Sequence, residues 1–414
     1  MRIVFYLDCV SPHQVPLARE VVRRVGADNF RYVYRDVVQE DRAALGWQMT
    51  GDANWFVHIG TQAKIAQEWI ETADVILTGF RDFELFARRA DKGLTTLYMS
   101  ERWFKPFRIH CLFNFQLSRW LRLFHPAYFR TACRIRRLLR SDVPFYYLPC
   151  GIHAATDMAR LCGLMRGDLR CLFRSPAIES ERKPGGRSIL AAKNAKFAKE
   201  RDRTYCLDKM RMWGYYVKPS SLDAFPVQEA DKTKPRGLKV LWVGRLLNWK
   251  RVDTIVQAVG EHANLKRMGT LLPTITLDVY GTGPEENRLK KVAAKYGDCI
   301  KFYPPVSIAE IRRLMREHDV YVLSSNGYEG WGAVVSEALE EDVHVLGTYE
   351  AGSGATMLTD VDLFHAGDWK RLMVLLERCM DEKSRSVLKG QGIGEWSAAK
   401  AADRLLALIE TIQK

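Results

Sequence analysis

The sequence predicts two doubly wound α/β domains facing each other across a cleft. Two series of short apolar runs alternate with helix-patterned segments, and a polar stretch carrying Pro219, Ser220, Ser221, Pro226 and Pro235 separates them. The charge also divides unevenly about that stretch. Strands alternating with helices imply parallel sheets covered on both faces. The 414 residues suffice for two domains of the usual size.

The first series opens with an apolar strand at 3–7, a loop and a helix at 15–25. Further strands are expected at 30–34, 55–59, 75–78, 95–99 and 145–148, with helices at 63–72 and 83–90 among them. Met212, Trp213, Gly214, Tyr215 and Tyr216 read as a last strand before the linker. The second series then restarts, with strands at 239–243, 274–280, 301–303, 320–324 and 343–346. Helices are expected at 252–260, 285–296, 308–318 and 331–339. A final helix at 397–412 spaces Ala401, Leu405, Leu408 and Ile412 for one packed face. The expected boundaries are a first domain at 1–218, a linker at 219–236 and a second domain at 237–396. The terminal helix at 397–414 is expected to pack back on the first domain. Ligands in such sheets bind at the carboxyl ends of the strands, so the cleft between the domains is the expected site.

Composition narrows the class. With 27% charged and 11% aromatic residues, the chain is not of disordered type, and no run approaches the ~20 apolar residues of a membrane span. The early Asp8 interrupts the N-terminal apolar run, which reads as a buried strand rather than a secretory signal. Nine cysteines with no C-x-x-C pair argue against a disulfide framework and against a zinc site. The expectation is a cytoplasmic protein, soluble or peripheral on the inner face of the plasma membrane, with no bound metal. The first 218 residues carry 37 basic and 22 acidic side chains, the remainder 26 and 27. The whole net charge of +14 thus arises in the first half, as a basic face on one domain would produce.

Two segments carry candidate chemistry. In the first, the strand ending at Val243 runs into Gly244 and Arg245, with Lys250 before a helix. A glycine at a strand end lets a ligand approach the backbone, and the next helix N-terminus favours an anion. Arginine offers phosphate a planar fork and lysine a point charge. In the second, Glu329, Gly330, Trp331, Gly332 and Ala333 lead into a helix holding Glu337. Small residues there expose backbone N–H groups, and the two carboxylates can accept hydrogen bonds from hydroxyls of one elongated ligand. Taken singly, the cations also read as a solvated loop, and the glutamates as a helix-start charge and a solvated helix residue.

Gly-Arg-(four residues)-Lys, then Tyr280-Gly281-Thr282-Gly283-Pro284-Glu285, then Glu-(seven residues)-Glu together resemble the donor-binding half of family 4 glycosyltransferases. The resemblance covers about 238–350 and implies two Rossmann-like domains (the glycosyltransferase-B fold) and a retaining mechanism. It implies that Arg245 and Lys250 hold the diphosphate of a nucleotide-sugar, UDP- or GDP-linked, with no further cofactor required. It further implies that Glu337 binds the ribose, that Glu329 contacts the donor sugar, and that amides of Gly330, Trp331, Gly332 and Ala333 help hold sugar and phosphates. Gly281 belongs to the matching glycine-rich turn, and residues 303–306, with Val306, to a loop that lines the base pocket in relatives. Gly394-Glu395-Trp396-Ser397 looks like the family's entry to its last helix.

The first half departs from the pattern. Where many relatives have a glycine-rich loop, this chain has Cys9-Val10-Ser11-Pro12-His13-Gln14-Val15-Pro16, with His13 or Gln14 as replacement donors. Glu101, with Arg102 beside it, stands where relatives place an acceptor-side residue, and is the candidate for acceptor contact or base. Asp74 and Asp82 flank another strand end. A helix-start Ser/Glu pair accounts for Glu101 equally well.

The stretch from Glu101 to Arg140 holds ten Lys/Arg, one acid and nine aromatic residues, Arg108, Arg119, Arg122 and Arg134 among them. That composition suits an anionic membrane surface, although arginine stems lying over a core helix have it too. No nucleic-acid motif appears. A basic insertion around 179–203 has no evident purpose. The resulting expectation is a hexosyltransferase acting on a saccharide or lipid-linked saccharide in envelope polysaccharide synthesis. The alternatives are a nucleotide-sugar epimerase or hydrolase of the same fold, or a non-catalytic membrane or nucleic-acid binder with a relic site.

Overall fold

A computed structural model describes residues 1–36, 53–103, 126–162, 208–219, 237–269, 272–380 and 393–413. The expected linker beyond Pro219, the basic insertion around 179–203 and the part of the basic stretch holding Arg108, Arg119 and Arg122 lie outside the described residues. Contacts divide the described chain into two compact units. Met1–Asp8, Ala27–Arg35 and Asn54–Gly214 belong to one, and Cys9–Gly26 and Tyr215–Lys414 to the other.

The first unit contains a six-stranded sheet of order β3-β2-β1-β4-β5-β6. Its strands are β1 (Ile3–Leu7), β2 (Phe30–Tyr34), β3 (Phe56–His58), β4 (Val75–Thr78), β5 (Thr95–Ser100) and β6 (Phe145–Pro149), paired in parallel throughout. They are near-continuous apolar runs because both faces of such a sheet are covered. The helix Phe83–Asp91 starts where Asp82 accepts a hydrogen bond from the Leu85 N–H at 2.9 Å. From this helix the buried Arg89 donates to the carbonyls of Ile70, Ala73 and Thr95. Two of these end the helix Ala63–Thr72, so one cation satisfies carbonyls that have no helical partner. Burial alone pushes this guanidinium down to about 10, which leaves it charged. The strand expected around Met212–Tyr216 is not one. Only isolated bridges, Tyr147 to Met210 and Cys150 to Trp213, join this segment to β6 and its end.

The second unit repeats the plan with order β12-β11-β10-β7-β8-β9. The strands are β7 (Leu238–Val243), β8 (Ile275–Tyr280), β9 (Ile300–Tyr303), β10 (Val320–Leu323), β11 (His344–Thr348) and β12 (Leu363–Phe364), again all parallel. One core cluster joins Val240, Trp242, Leu277 and Val279 to the helices Val252–Arg267 and Trp369–Arg378, and a second gathers Leu241, Tyr321, Leu323, Val335 and Leu339. The helix expected at 252–260 continues to Arg267. Gly260 does not end it, because a Cβ there would lie 2.3 Å from the Tyr296 ring. The glycine serves close packing rather than chain termination. The helix Val15–Val25 groups with this unit through the terminal helix Ala398–Gln413, where Arg24 donates to Asp403 at 2.8 Å.

Candidate functional site

The loops at the carboxyl ends of β7, β8 and β10 are tied to one another. Gly244 donates its N–H to the Tyr280 carbonyl at 3.0 Å, and Gly281 to that of Tyr303 at 3.0 Å. A Cβ on Gly281, whose φ is 146°, would lie 1.8 Å from the Gly244 carbonyl oxygen, so glycine is obligatory. Past Gly244, Arg245 is exposed and pairs with no carboxylate among the described residues. The chain then makes a 3₁₀ turn, Asn248–Lys250, and passes through Arg251 at φ 51°.

Lys250 is the bridge to the second motif. Its ammonium lies 4.6 Å from the Trp249 ring centre and bonds to the Glu329 carboxylate. Ser325 donates to the same Glu329 oxygen at 2.9 Å, Ser324 to the Lys250 carbonyl at 2.7 Å, and the Asn326 N–H to the Trp249 carbonyl at 2.9 Å. Residues 79 apart in sequence thus share one ion pair.

The helix that holds Glu337 is Val334–Glu340, not the expected 331–339. Residues 330–333 form a turn instead, with Gly332 at φ 91°. The Trp331 carbonyl accepts from the Ser353 N–H at 2.8 Å, and that of Gly332 from the Ser353 hydroxyl at 2.9 Å. The N–H groups of Trp331, Gly332 and Ala333 have no acceptor among the described residues. The Trp331 indole is only 1% exposed and packs near Tyr215 and Trp396. Its contribution to a ligand is therefore limited to its backbone.

Glu337 is no solvated helix residue. Burial pushes its carboxyl up to about 7, Glu341 adds to the rise, and Arg312 opposes it. Its oxygen lies 3.9 Å from Nδ1 of His13. Burial pushes His13 down to about 4, so at neutral pH this proximity is not an ion pair. Glu341, one turn further on, is held by Arg312 and Arg316, and Arg312 also donates to the Lys218 carbonyl at 2.6 Å.

Sequence reasoning missed Tyr321, which brings these pieces together. Its buried phenol is pushed well above the ordinary range, first by burial and then by both Glu329 and Glu337, while a backbone hydrogen bond from Val243 opposes the shift. One hydroxyl therefore senses both carboxylates and the strand end that presents Gly244 and Arg245. The only signal for it was a hydroxyl within an otherwise apolar strand.

The other candidates separate. Val306 packs on the core beside Leu241 and Leu314. Tyr303 stacks on Tyr280 at 4.5 Å between ring centres. Glu101 belongs to the first unit, past β5, where its charge helps burial raise the Cys150 thiol. Asp74 accepts from the Arg2 N–H at 2.7 Å and Asp82 caps a helix, so structural bonds account for both. Among the described residues no group of three or more His, Cys, Asp and Glu side chains is placed to hold a metal ion, and no helix is long and apolar enough to cross a membrane.

The family described as glycosyl transferases group 1 matches residues 225–391. By that match the second half of the chain is similar to a group 1 glycosyltransferase domain. The GtfA subunit of UDP-N-acetylglucosamine--peptide N-acetylglucosaminyltransferase from Streptococcus pneumoniae is 28% identical over 109 residues, 26% of this chain. The uncharacterized glycosyltransferase MJ1069 of Methanocaldococcus jannaschii is 34% identical over 107 residues, also 26% of this chain. The chain spans only 20% and 25% of the lengths of these relatives. Over the whole chain the likeness is one of fold. The lipopolysaccharide outer core galactosyltransferase WaaB superposes with a TM-score of 0.58 at 13% identity, covering 99% of both chains. Anabaena Alr3699/HepE in complex with UDP superposes at 0.56 and 13% identity, over 99% of this chain and 100% of that one. Two parallel six-stranded sheets with this likeness are the glycosyltransferase-B fold.

Proposed function

We propose that the protein is a retaining glycosyltransferase that moves a sugar from a nucleoside diphosphate sugar to a saccharide acceptor. The observation that carries this is the ion pair of Lys250 with Glu329, which ties the loop after β7, where Arg245 stands, to the loop before the helix of Glu337. Arg245 and Lys250 meet the donor diphosphate, the free amides of Trp331 to Ala333 its phosphates and sugar, and Glu337 the ribose. A UDP-sugar is the first donor to test, because HepE was solved with UDP and the GtfA relatives are named for UDP-N-acetylglucosamine. GDP remains the other candidate base.

The chemistry follows from charge. As the bond to the anomeric carbon breaks, negative charge builds on the departing diphosphate, and fixed cations facing it lower the barrier. Arg245 presents N–H donors at the strand end. Lys250, held by Glu329 and the Trp249 ring, needs no large rearrangement to join it. The acceptor hydroxyl attacks from the face the diphosphate leaves, a donor phosphate oxygen takes its proton, and configuration is retained. In this reading Glu329 contacts the donor sugar, while His13 is neutral and lies 3.9 Å from Glu337. Glu101 remains the acceptor-side candidate.

The acceptor is a saccharide of envelope polysaccharide, lipid-linked or not. The likeness of fold to WaaB and to WaaG, a glycosyltransferase involved in lipopolysaccharide biosynthesis, supports this. The basic stretch from Glu101 to Arg140 would face an anionic membrane, and sedimentation with anionic vesicles at low salt tests that part. The test of the central claim is a thermal-shift panel of UDP-, GDP-, ADP- and dTDP-sugars, followed by transfer assays on Arg245→Ala. One donor class should raise the melting temperature, and the variant should lose turnover by about 100-fold or more with its fold intact. Near-normal turnover removes the diphosphate role.

A further inference from the structure

The carboxyl ends of β2, β1 and β4 lie side by side in the first sheet, where the chain order reverses about β1. Open α/β sheets take ligands in the crevice at such a reversal. A recess of about 480 Å³ opens there. Its lining includes Tyr6 on β1, Arg35 just past β2, Arg81 and Asp82 after β4, and Arg134 on the helix Pro126–Arg140.

Each of the three arginines lies against an aromatic ring. Arg35 is 4.9 Å from the Phe80 ring centre, Arg81 4.7 Å from that of Trp103, and Arg134 5.3 Å from that of Phe83. The Tyr6 ring, 4.5 Å from Phe80, completes an aromatic floor. Contact with a ring steadies a guanidinium, whose several N–H groups suit carboxylate and phosphate oxygens; Arg81 spends part of that capacity on a bond to the Tyr98 phenol. Three cations face two acids, Asp82 and Glu84, and Asp82 also caps the helix by accepting from the Leu85 N–H. Arg134 belongs to the basic stretch that contributes to the first half's excess charge.

We propose that this recess binds a saccharide bearing a phosphate or carboxylate, the anion held by Arg35, Arg81 and Arg134 and the sugar ring lying beside Tyr6. That this ligand is the acceptor rests on the transferase reading above; that the recess binds it does not.

The test is calorimetric titration of the full chain with glucose 6-phosphate, galacturonate and glucose. It is done in the Arg245→Ala background, so that phosphate is not mistaken for occupancy of the donor site. The two anionic sugars should bind at least tenfold more tightly than glucose. Arg35→Ala and Arg134→Ala should each weaken anionic binding about tenfold, a charge-assisted hydrogen bond's worth, with melting temperatures unchanged. Arg137→Ala, an exposed arginine on the same helix outside the recess, should leave binding as it was. Equal binding of all three sugars overturns the proposal. So does a triple alanine variant at Arg35, Arg81 and Arg134 that stays folded and binds glucose 6-phosphate like its parent. Anion binding without transfer from any donor would sink the transferase reading and leave the recess standing; transfer without anion binding would do the reverse.

Discussion

Glu337→Gln should remove a pH dependence of stability that the wild-type chain carries. The Glu337 carboxyl ionises at about 7 in the folded protein against 4.5 for the unperturbed group. With the folded value above the unfolded one, the native state holds the proton between those two values and the unfolded state does not. Stability is therefore lost as pH rises through that window, and the loss is complete above about 8. At 1.36 kcal/mol per unit, the shift amounts to roughly 3 kcal/mol. The surrounding groups do not reverse the sign. His13, pushed down to about 4, stays neutral across the window, and the opposition of Arg312 is already contained in the value of about 7. Glu341 is taken up by Arg312 and Arg316.

The assay compares melting temperatures of wild type and Glu337→Gln from pH 5 to 8.5, since contributions common to both cancel in the difference. Wild type should lose several degrees relative to the variant across that range. The same carboxylate is proposed to accept from the ribose, so nucleotide-sugar affinity should fall below pH 7, by up to tenfold per unit. A nucleotide-sugar suits this better than a free nucleotide, whose terminal phosphate itself titrates near pH 6. A melting difference that stays flat from pH 5 to 8.5 would refute the reasoning, because a solvated Glu337 would give that result.

Three further outcomes follow from the same loops. Lys250→Ala and Glu329→Gln should be strongly non-additive, with a coupling of about 1–3 kcal/mol in a double-mutant cycle of urea stability, because the pair is mostly buried. Gly281→Ala should destabilise by about 3 kcal/mol or more in urea unfolding, since its Cβ would sit 1.8 Å from the Gly244 carbonyl oxygen. Trp331→Ala should lower stability by about 3–5 kcal/mol and also weaken nucleotide-sugar binding, because its indole anchors the turn with free amides.

The two parallel sheets were readable from the sequence because buried parallel strands are written as apolar runs. Residues 3–7, 30–34 and 75–78 were recovered end to end. Errors arose where a residue plays an uncommon role. Gly260 looked like a helix end because packing against Tyr296 is invisible without coordinates. The apolar run at 331–339 overran the helix start, whereas reading residues 330–333 as the lead into that helix agrees with its beginning at Val334. The aromatic run at Met212–Tyr216 looked like a strand, yet Met212, Trp213 and Tyr216 are buried with only one isolated bridge, Cys150 to Trp213, within the run.

The candidate site was legible in its charges and hidden in its burial. Spacing alone picked out Lys250 and Glu329, which share an ion pair across two loops, because a βα loop ending in a cation and a loop carrying an acid are local patterns. Glu337 carries the same letter as a solvated glutamate. Only its burial, with Glu341 adding to the rise and Arg312 opposing it, shows that its proton is held near neutral pH. Tyr321 gave still less warning, since a tyrosine is unremarkable in a strand until its burial, with the charges of Glu329 and Glu337 acting on it, raises its phenol. Asp82 erred in the opposite direction, a carboxylate at a strand end whose bond to Leu85 is ordinary capping, while the arginines around it went unnoticed as a group. Those arginines lie on three elements far apart in the chain, and only the sheet order β2-β1-β4 makes them neighbours. Chemistry written within one loop can be read from letters; chemistry assembled across a topological reversal cannot.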